Sequence, residues 1–140
     1  MSSDSAPPPM LRPTGVHHVA IIASDYAPSR HFYTEVLGLQ VVHEHYRAER
    51  QSHKLDLQLP DGTQVELFSF PTPPARPSYP EACGLRRLAL RVADMAASVA
   101  ALVAHGVAVE PVRTDPFTGA LFTFFADPDG LPIELVGPAT

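Results

Sequence analysis

The chain has one cysteine, Cys83, and no tryptophan among its 140 residues. A single cysteine forms no internal disulfide and supplies no thiolate-rich zinc site. No apolar run approaches the ~20 residues that a membrane helix requires. Residues 1–13 lack the basic start and the apolar block of a signal peptide. We therefore expect a cytoplasmic protein in a reducing setting, with no membrane partner.

Positive charge is also scarce. Lysine and arginine number 10 against 15 aspartates and glutamates, which gives a net charge of −5 at neutral pH. This deficit argues against a nucleic-acid partner, because nucleic-acid-binding proteins normally present a basic face. Hydrophobic residues make up 45% of the chain, which is enough to form a core in one domain.

Sixteen prolines divide the chain. Residues 1–13 are polar and proline-rich and predict a flexible tail. Residues 71–83 contain five prolines, a density that excludes a helix or a central strand and predicts an extended linker. The linker divides a single predicted domain, residues 14–137, into module one (residues 14–70) and module two (residues 84–137).

The two modules are similar in sequence, which indicates an internal duplication. Residues 15–22 (GVHHVAII) align with residues 84–91 (GLRRLALR). Further along, Glu66 aligns with Glu134, and each follows an Asp-Gly turn by a few residues. Agreement at several separate points is difficult to attribute to chance in a chain of this length.

Each module predicts one strand, one helix and three further strands. In module one, strands are expected near residues 16–23, 39–45, 54–59 and 64–70, with a helix between Asp25 and Gly38. In module two, strands are expected near residues 85–92, 107–112, 121–126 and 132–136, with a helix between Asp94 and Gly106. The predicted fold class is α+β, with two tandem βαβββ modules and a cleft between their half-sheets.

Strand alternation places four polar side chains on the faces that the helices leave uncovered: His18, Glu66, Arg87 and Glu134. A carboxylate within an apolar strand is costly to bury unless its charge is compensated, and here this occurs twice at equivalent places. Histidine and carboxylates together suit zinc, nickel, manganese or iron(II). The plainer alternatives are a hydrogen-bonded strand histidine, two edge-strand glutamates and a solvated arginine.

Five stretches resemble the vicinal oxygen chelate (VOC) superfamily, which includes glyoxalase I, extradiol dioxygenases and antibiotic-resistance proteins. They are HHVAI (17–21), FYTEVLGL (32–39), VELF (65–68), FFADPDG (124–130) and IEL (133–135). ELFSFP (66–71) and PEACGLR (80–86) look most like a glyoxalase-I-like subgroup of small bacterial proteins. The resemblance implies that the two modules form a half-barrel cleft.

In glyoxalase-like members, four positions bind a divalent metal. By resemblance these are His18, Glu66, position 87 and Glu134, and the family usually has histidine at the third. This chain has Arg87, which stays protonated and cannot be a ligand. At most three ligands remain for zinc, nickel, manganese or iron. Arg87 could instead bridge the two glutamates, and Arg91 on the same face adds a second cation.

The resemblance implies a lyase or isomerase of the lactoylglutathione-lyase (glyoxalase I) type that acts on a small α-oxo or vicinal-oxygen substrate. A metal would assist, and Glu134 would move the proton. The alternative is a non-catalytic or metal-free protein of the antibiotic-resistance type, in which Arg87 and Arg91 hold an anionic or planar ligand. A dioxygenase ranks last, because the second histidine is missing.

The resemblance also implies a homodimer, and some members of the superfamily build each site from two chains. The sequence leaves open whether His18 and Glu134 meet within one chain.

Overall fold

The computed structural model describes residues 5–139, and these form two four-stranded sheets with the same topology. The strands of the first sheet are β1 (His18–Ala23), β2 (Gln40–Arg47), β3 (Ser52–Gln58) and β4 (Gln64–Ser69). Those of the second are β5 (Leu88–Arg91), β6 (Arg113–Thr114), β7 (Leu121–Ala126) and β8 (Pro132–Gly137). Their orders are β1-β4-β3-β2 and β5-β8-β7-β6, with β1 parallel to β4 and β5 parallel to β8. The α+β class and the repeated βαβββ unit are confirmed.

In each module a helical segment follows the first strand of the sheet. In module one, α1 (Tyr26–His31) continues directly into a π-helical turn over Phe32–Val36. In module two, α2 (Met95–Ala104) begins after Asp94, whose carboxylate accepts a hydrogen bond from the Ala97 backbone N–H at 3.0 Å. This bond satisfies one of the donors that a helix start leaves free. Gly106 follows α2 with a φ of 79°, a conformation that glycine adopts readily.

The prediction of a strand near residues 107–112 is wrong. Regular pairing in this part of the chain is limited to β6, which contains two residues. Glu110 still donates its backbone N–H to Phe124 at 3.0 Å, so the segment runs beside β7. The next residue, Pro111, has no N–H to continue a ladder, and the strand is interrupted there.

The covered face of each sheet contributes to a core that joins the two modules. Val65 and Leu67 from β4, and Ile133 and Leu135 from β8, are at most 4% exposed. They belong to the same cluster of buried hydrophobic residues. Since side chains alternate along a strand, the residues between them face away from this core.

The modules are also joined by a buried hydrogen bond. The Tyr33 hydroxyl, on the π-helical turn of module one, donates to Asp127 Oδ2 of module two at 2.8 Å. Burial and the nearby Asp127 carboxylate raise the pKa of Tyr33, so the phenol remains a proton donor. Close by, the Phe32 and Phe125 rings lie 6.2 Å apart.

The linker and the described part of the tail, residues 5–13, contain no regular elements. Residues 71–83 form only turns and extended chain, and residues 5–13 have no helix or strand. The first four residues of the predicted tail lie outside the described residues. Within the part of the chain that the structure describes, no helix is both long enough and apolar enough to cross a bilayer.

Removing the Tyr33 hydroxyl tests the link between the modules. We expect Tyr33→Phe to lower the free energy of unfolding by about 1–3 kcal/mol, because it leaves a buried carboxylate oxygen without its donor. Urea denaturation would measure the change. Tyr46→Phe is the matched control, since Tyr46 is exposed, and it should have almost no effect. Equal effects of the two substitutions would contradict the assignment.

An ion pair between Arg30 and Glu44 connects α1 to β2. Arg30 donates to both oxygens of Glu44, at 2.8 and 2.9 Å, and the Tyr26 hydroxyl also donates to this carboxylate. The hydrogen bonds from Arg30, followed by that from Tyr26, lower the pKa of Glu44 from 4.5 to about 2. Because the pKa is depressed in the fold, the pair stabilises above pH 4.5 and is lost as the pH falls through about 2.

We therefore expect Glu44→Gln to destabilise the protein at neutral pH by about 0.5–1 kcal/mol, a small value because the pair is partly solvated. The difference from the unmodified protein should shrink as the pH falls below 4.5. Denaturant titrations at pH 7 and near pH 2 would measure it. A difference that stays constant with pH would rule out the ion pair as its source.

Candidate functional site

The first half of the candidate site lies on the uncovered face of module one. His18 on β1 and Glu66 on β4 lie on adjacent parallel strands, and His18 Nδ1 is 3.6 Å from Glu66 Oε2. The Glu66 side chain is 15% exposed, so its charge is only partly solvated. A second imidazole, that of His17, lies 2.9 Å from His18 Nδ1. We call the His18–Glu66 pair half-site one.

Sequence reasoning missed two charged residues beside Glu66. Asp56 on β3 lies directly opposite Glu66 in the antiparallel register. Lys54 Nζ lies 3.3 Å from Asp56 Oδ1 and 3.9 Å from Glu66 Oε1, so one cation serves two carboxylates. Asp56 Oδ1 is buried and, despite this ion pair, has no aligned hydrogen bond. Alternation along β3 was the available signal, since residues 54 and 56 share a face.

The second half of the site lies on the uncovered face of module two. Arg87 Nη1 donates to Glu134 Oε1 at 3.2 Å, and the Glu134 side chain is 18% exposed. The guanidinium also lies over the Phe124 ring, with its carbon 5.0 Å from the ring centroid. Arg87 therefore holds one of the two glutamates and does not bridge both. We call the Arg87–Glu134 pair half-site two.

Within the described residues, half-site one and half-site two do not form one metal-binding group. Across residues 5–139, no group of three or more histidine, cysteine, aspartate or glutamate side chains is arranged to hold a metal ion. The covered faces of both sheets contribute to one core, so the uncovered faces point away from it. Of the three predicted ligands, His18 and Glu66 thus lie on the uncovered face of module one, and Glu134 lies on that of module two.

The chemical types of the three predicted ligands are suitable for a divalent metal ion. One imidazole and two carboxylates are ligands that divalent metals accept, and three protein ligands leave a position for substrate or water. Half-site one alone supplies two of them, while Glu134 is held by a guanidinium that cannot be a ligand. The residues therefore fit a metal only if half-site one and half-site two are brought together.

Arg91 lies apart from Arg87. It lines a second cavity, of about 990 Å³, whose walls include Val19 of module one and Leu90 of module two. Arg87 lines a different cavity, bounded by the linker and by β7. The two arginines that the sequence placed on one face of β5 therefore open onto different spaces.

Comparison with known proteins identifies the family. The model of the Glyoxalase/Bleomycin resistance protein/Dioxygenase superfamily matches residues 15–135. The chain belongs to this superfamily, as its two βαβββ modules and paired polar faces suggest.

Particular relatives agree with this assignment. The chain is 56% identical over 126 residues to the uncharacterized protein YaeR of Escherichia coli (strain K12), covering 90% of this chain and 98% of YaeR. It is 31% identical over 142 residues to a 2-epi-5-epi-valiolone epimerase of Actinomyces sp., covering 86% and 78% of the two chains. The crystal structure of SMU.1112c has a TM-score of 0.85 and 46% identity, with coverage of 89% and 99%.

The role of Lys54 in neutralising two carboxylates is testable. We expect Lys54→Met to lower the free energy of unfolding by about 1–2 kcal/mol, because Asp56 and Glu66 would then face each other without a cation. Urea denaturation at pH 7 would measure the loss. Lys54→Arg keeps the charge and should recover most of it. If the arginine variant were as unstable as the methionine variant, packing of the lysine stem would explain the effect instead.

Proposed function

We propose that this protein is an enzyme of the glyoxalase I type. It moves a proton at a carbon next to an oxygen function of a small substrate. The active site is completed by a second copy of the chain. The observation that carries the proposal is the pairing on both uncovered faces: each strand glutamate has a basic partner within 4 Å, at 3.6 Å in half-site one and 3.2 Å in half-site two.

A dimer would bring the halves together at the sheet edges. Strand β1 is an edge of the first sheet and β5 is an edge of the second. Apolar side chains on and beside these edges are exposed, namely Ile22, Val16 and Leu85. If β1 of one copy lies beside β5 of the other, half-site one faces half-site two. A two-fold axis repeats this contact, so that a dimer has two equivalent sites.

Within such a site, each side chain has a defined task. Glu134 removes the proton and returns it, since a positioned carboxylate suits general acid–base work. Arg87 fixes the orientation of Glu134 through their hydrogen bond. His18, Glu66 and Glu134 would hold a divalent ion, which supplies electrostatic stabilisation of the negative charge that develops on substrate oxygen.

The relationship to an epimerase supports a proton-transfer reaction. Epimerisation inverts one stereocentre, which is commonly done by removing a proton from carbon and returning it on the other face. The relationship extends over 86% of this chain. A glyoxalase I reaction contains the same kind of elementary step, although its products differ. We therefore propose the step, a proton transfer at carbon, as the shared chemistry.

A metal-free binding protein is the second candidate. It is favoured by one observation, the contact of Arg87 with Glu134 at 3.2 Å, because a guanidinium in that position competes with a metal ion for the carboxylate. Metal content separates the two candidates.

Mixing two inactive variants tests the composite site. His18→Ala damages half-site one and Glu134→Ala damages half-site two, so each variant alone should lose Mn²⁺ binding and proton transfer. Mixed dimers contain one undamaged site, and random exchange of subunits should restore about a quarter of the sites. Mn²⁺ binding is measured by electron paramagnetic resonance. Proton transfer is measured as deuterium uptake from solvent into the glutathione adduct of an α-ketoaldehyde.

If the mixture stays as inactive as its components although mixed dimers form, the sites are not shared between two chains. Arg87→His serves as the matched variant, because it restores the usual fourth ligand and should raise Mn²⁺ affinity. Metal content would be measured by mass spectrometry. If neither the unmodified protein nor Arg87→His retains a divalent ion, the metal-assisted enzyme is contradicted and the metal-free binding protein is supported.

A further inference from the structure

A cavity of about 800 Å³ lies on module two, between the linker and strands β7 and β8. Four of the ten basic residues of this acidic chain line it, against two glutamates, Glu81 and Glu110. The four are Arg76, Arg86, Arg87 and Arg113. Positive charges therefore outnumber negative ones in this recess, and a net positive potential attracts anions. The cavity is therefore suited to an anion.

Arg76 has a structural task in this cavity. Its guanidinium donates to the backbone carbonyls of Leu85 and Arg86, at 2.9 Å each, and to Ser78 Oγ at 2.8 Å. These bonds tie the linker to the start of module two and form one wall of the cavity. The remaining arginines are the ones available to a ligand.

Arg87 and Arg113 are arranged around one aromatic ring. Their guanidinium carbons lie 5.0 and 5.9 Å from the Phe124 centroid. Stacking on an aromatic face holds a guanidinium in place while its N–H edge stays free. The two arginines reach the ring from different segments, because Arg113 lies on β6 and Arg87 immediately precedes β5.

Most of their hydrogen-bonding capacity is unused. In the described chain, Arg87 makes one hydrogen bond, to Glu134 at 3.2 Å, and Arg113 makes one, to Glu110 at 2.5 Å. A guanidinium has five N–H donors. Two preorganised guanidinium groups with free donors match the oxygens of a carboxylate or a phosphate.

We propose that this cavity binds the anionic group of a small ligand, a carboxylate or a phosphate, between Arg87 and Arg113 above Phe124. Anion binding in this cavity does not depend on the proposed function. Only the identification of the bound ligand as the substrate rests on that function. The cavity is formed within one chain and requires neither the metal nor the second copy. Because Arg87 contacts both the anion and Glu134, it would fix the ligand's distance from the proposed base.

Isothermal titration calorimetry on the full chain, in buffer with a chelator, tests the proposal. The probes are inorganic phosphate, glycolate, and glycolamide as the neutral counterpart of glycolate. We expect phosphate or glycolate to bind and glycolamide not to bind. The stronger of the two anions then indicates whether the natural ligand presents a phosphate or a carboxylate.

Substitutions locate the binding. Arg87→Gln and Arg113→Gln should each weaken anion binding about tenfold to a hundredfold, as expected for loss of a hydrogen bond to a charged group. Arg91→Gln is the matched control, since it removes the same charge from the other cavity, and it should change affinity less than about threefold.

Three results would overturn the proposal. They are no binding of either anion, binding of glycolamide as strong as that of glycolate, and an equal loss in all three arginine variants. His18→Ala separates this proposal from the proposed function, because it should abolish Mn²⁺ binding and leave anion binding intact. Anion binding that disappears with His18→Ala would place the anion at half-site one instead.

Discussion

The pairing of a strand glutamate with a basic neighbour is the interaction on which the candidate site depends. Glu66 and Glu134 are each less than a fifth exposed, and a carboxylate with so little water around it requires a compensating charge. The fold supplies this charge from the adjacent strand, through His18 in one module and Arg87 in the other. Without these partners, two glutamates in apolar strands would weaken the sheets that hold them.

The two modules have the same strand topology, as expected for a duplication, but the residues on their uncovered faces differ. The residue opposite Glu66 is Asp56, whereas the residue opposite Glu134 is Phe124. Module one thus surrounds its glutamate with titratable groups, while module two surrounds its own with aromatic rings and guanidinium groups. The first environment favours metal ligation. The second favours recognition of a planar or anionic ligand.

A shared core explains why these two environments lie on separate surfaces. Tyr33 and Phe32 of module one contact Asp127 and Phe125 of module two, and the covered faces of both sheets belong to one hydrophobic cluster. Burying those faces together fixes the uncovered faces outward. In the dimer that we propose, a two-fold axis would combine them through two equivalent contacts from one pair of edges.

The sequence by itself determined the repeated βαβββ order, the start of α2 after Asp94 and the alternation of covered and uncovered residues along β1, β4 and β8. These features depend on local patterns: the two-residue period of strands, the cap at Asp94 and the glycine after each helix. The sequence did not reveal that Pro111 interrupts the strand beside β7, or that Lys54 and Asp56 lie next to Glu66. Only the tertiary structure decided which side chains meet. The placement of His18 and Glu134 in different half-sites, and of Arg87 and Arg91 in different cavities, depends on how the two sheets pack, a long-range arrangement that no local pattern encodes.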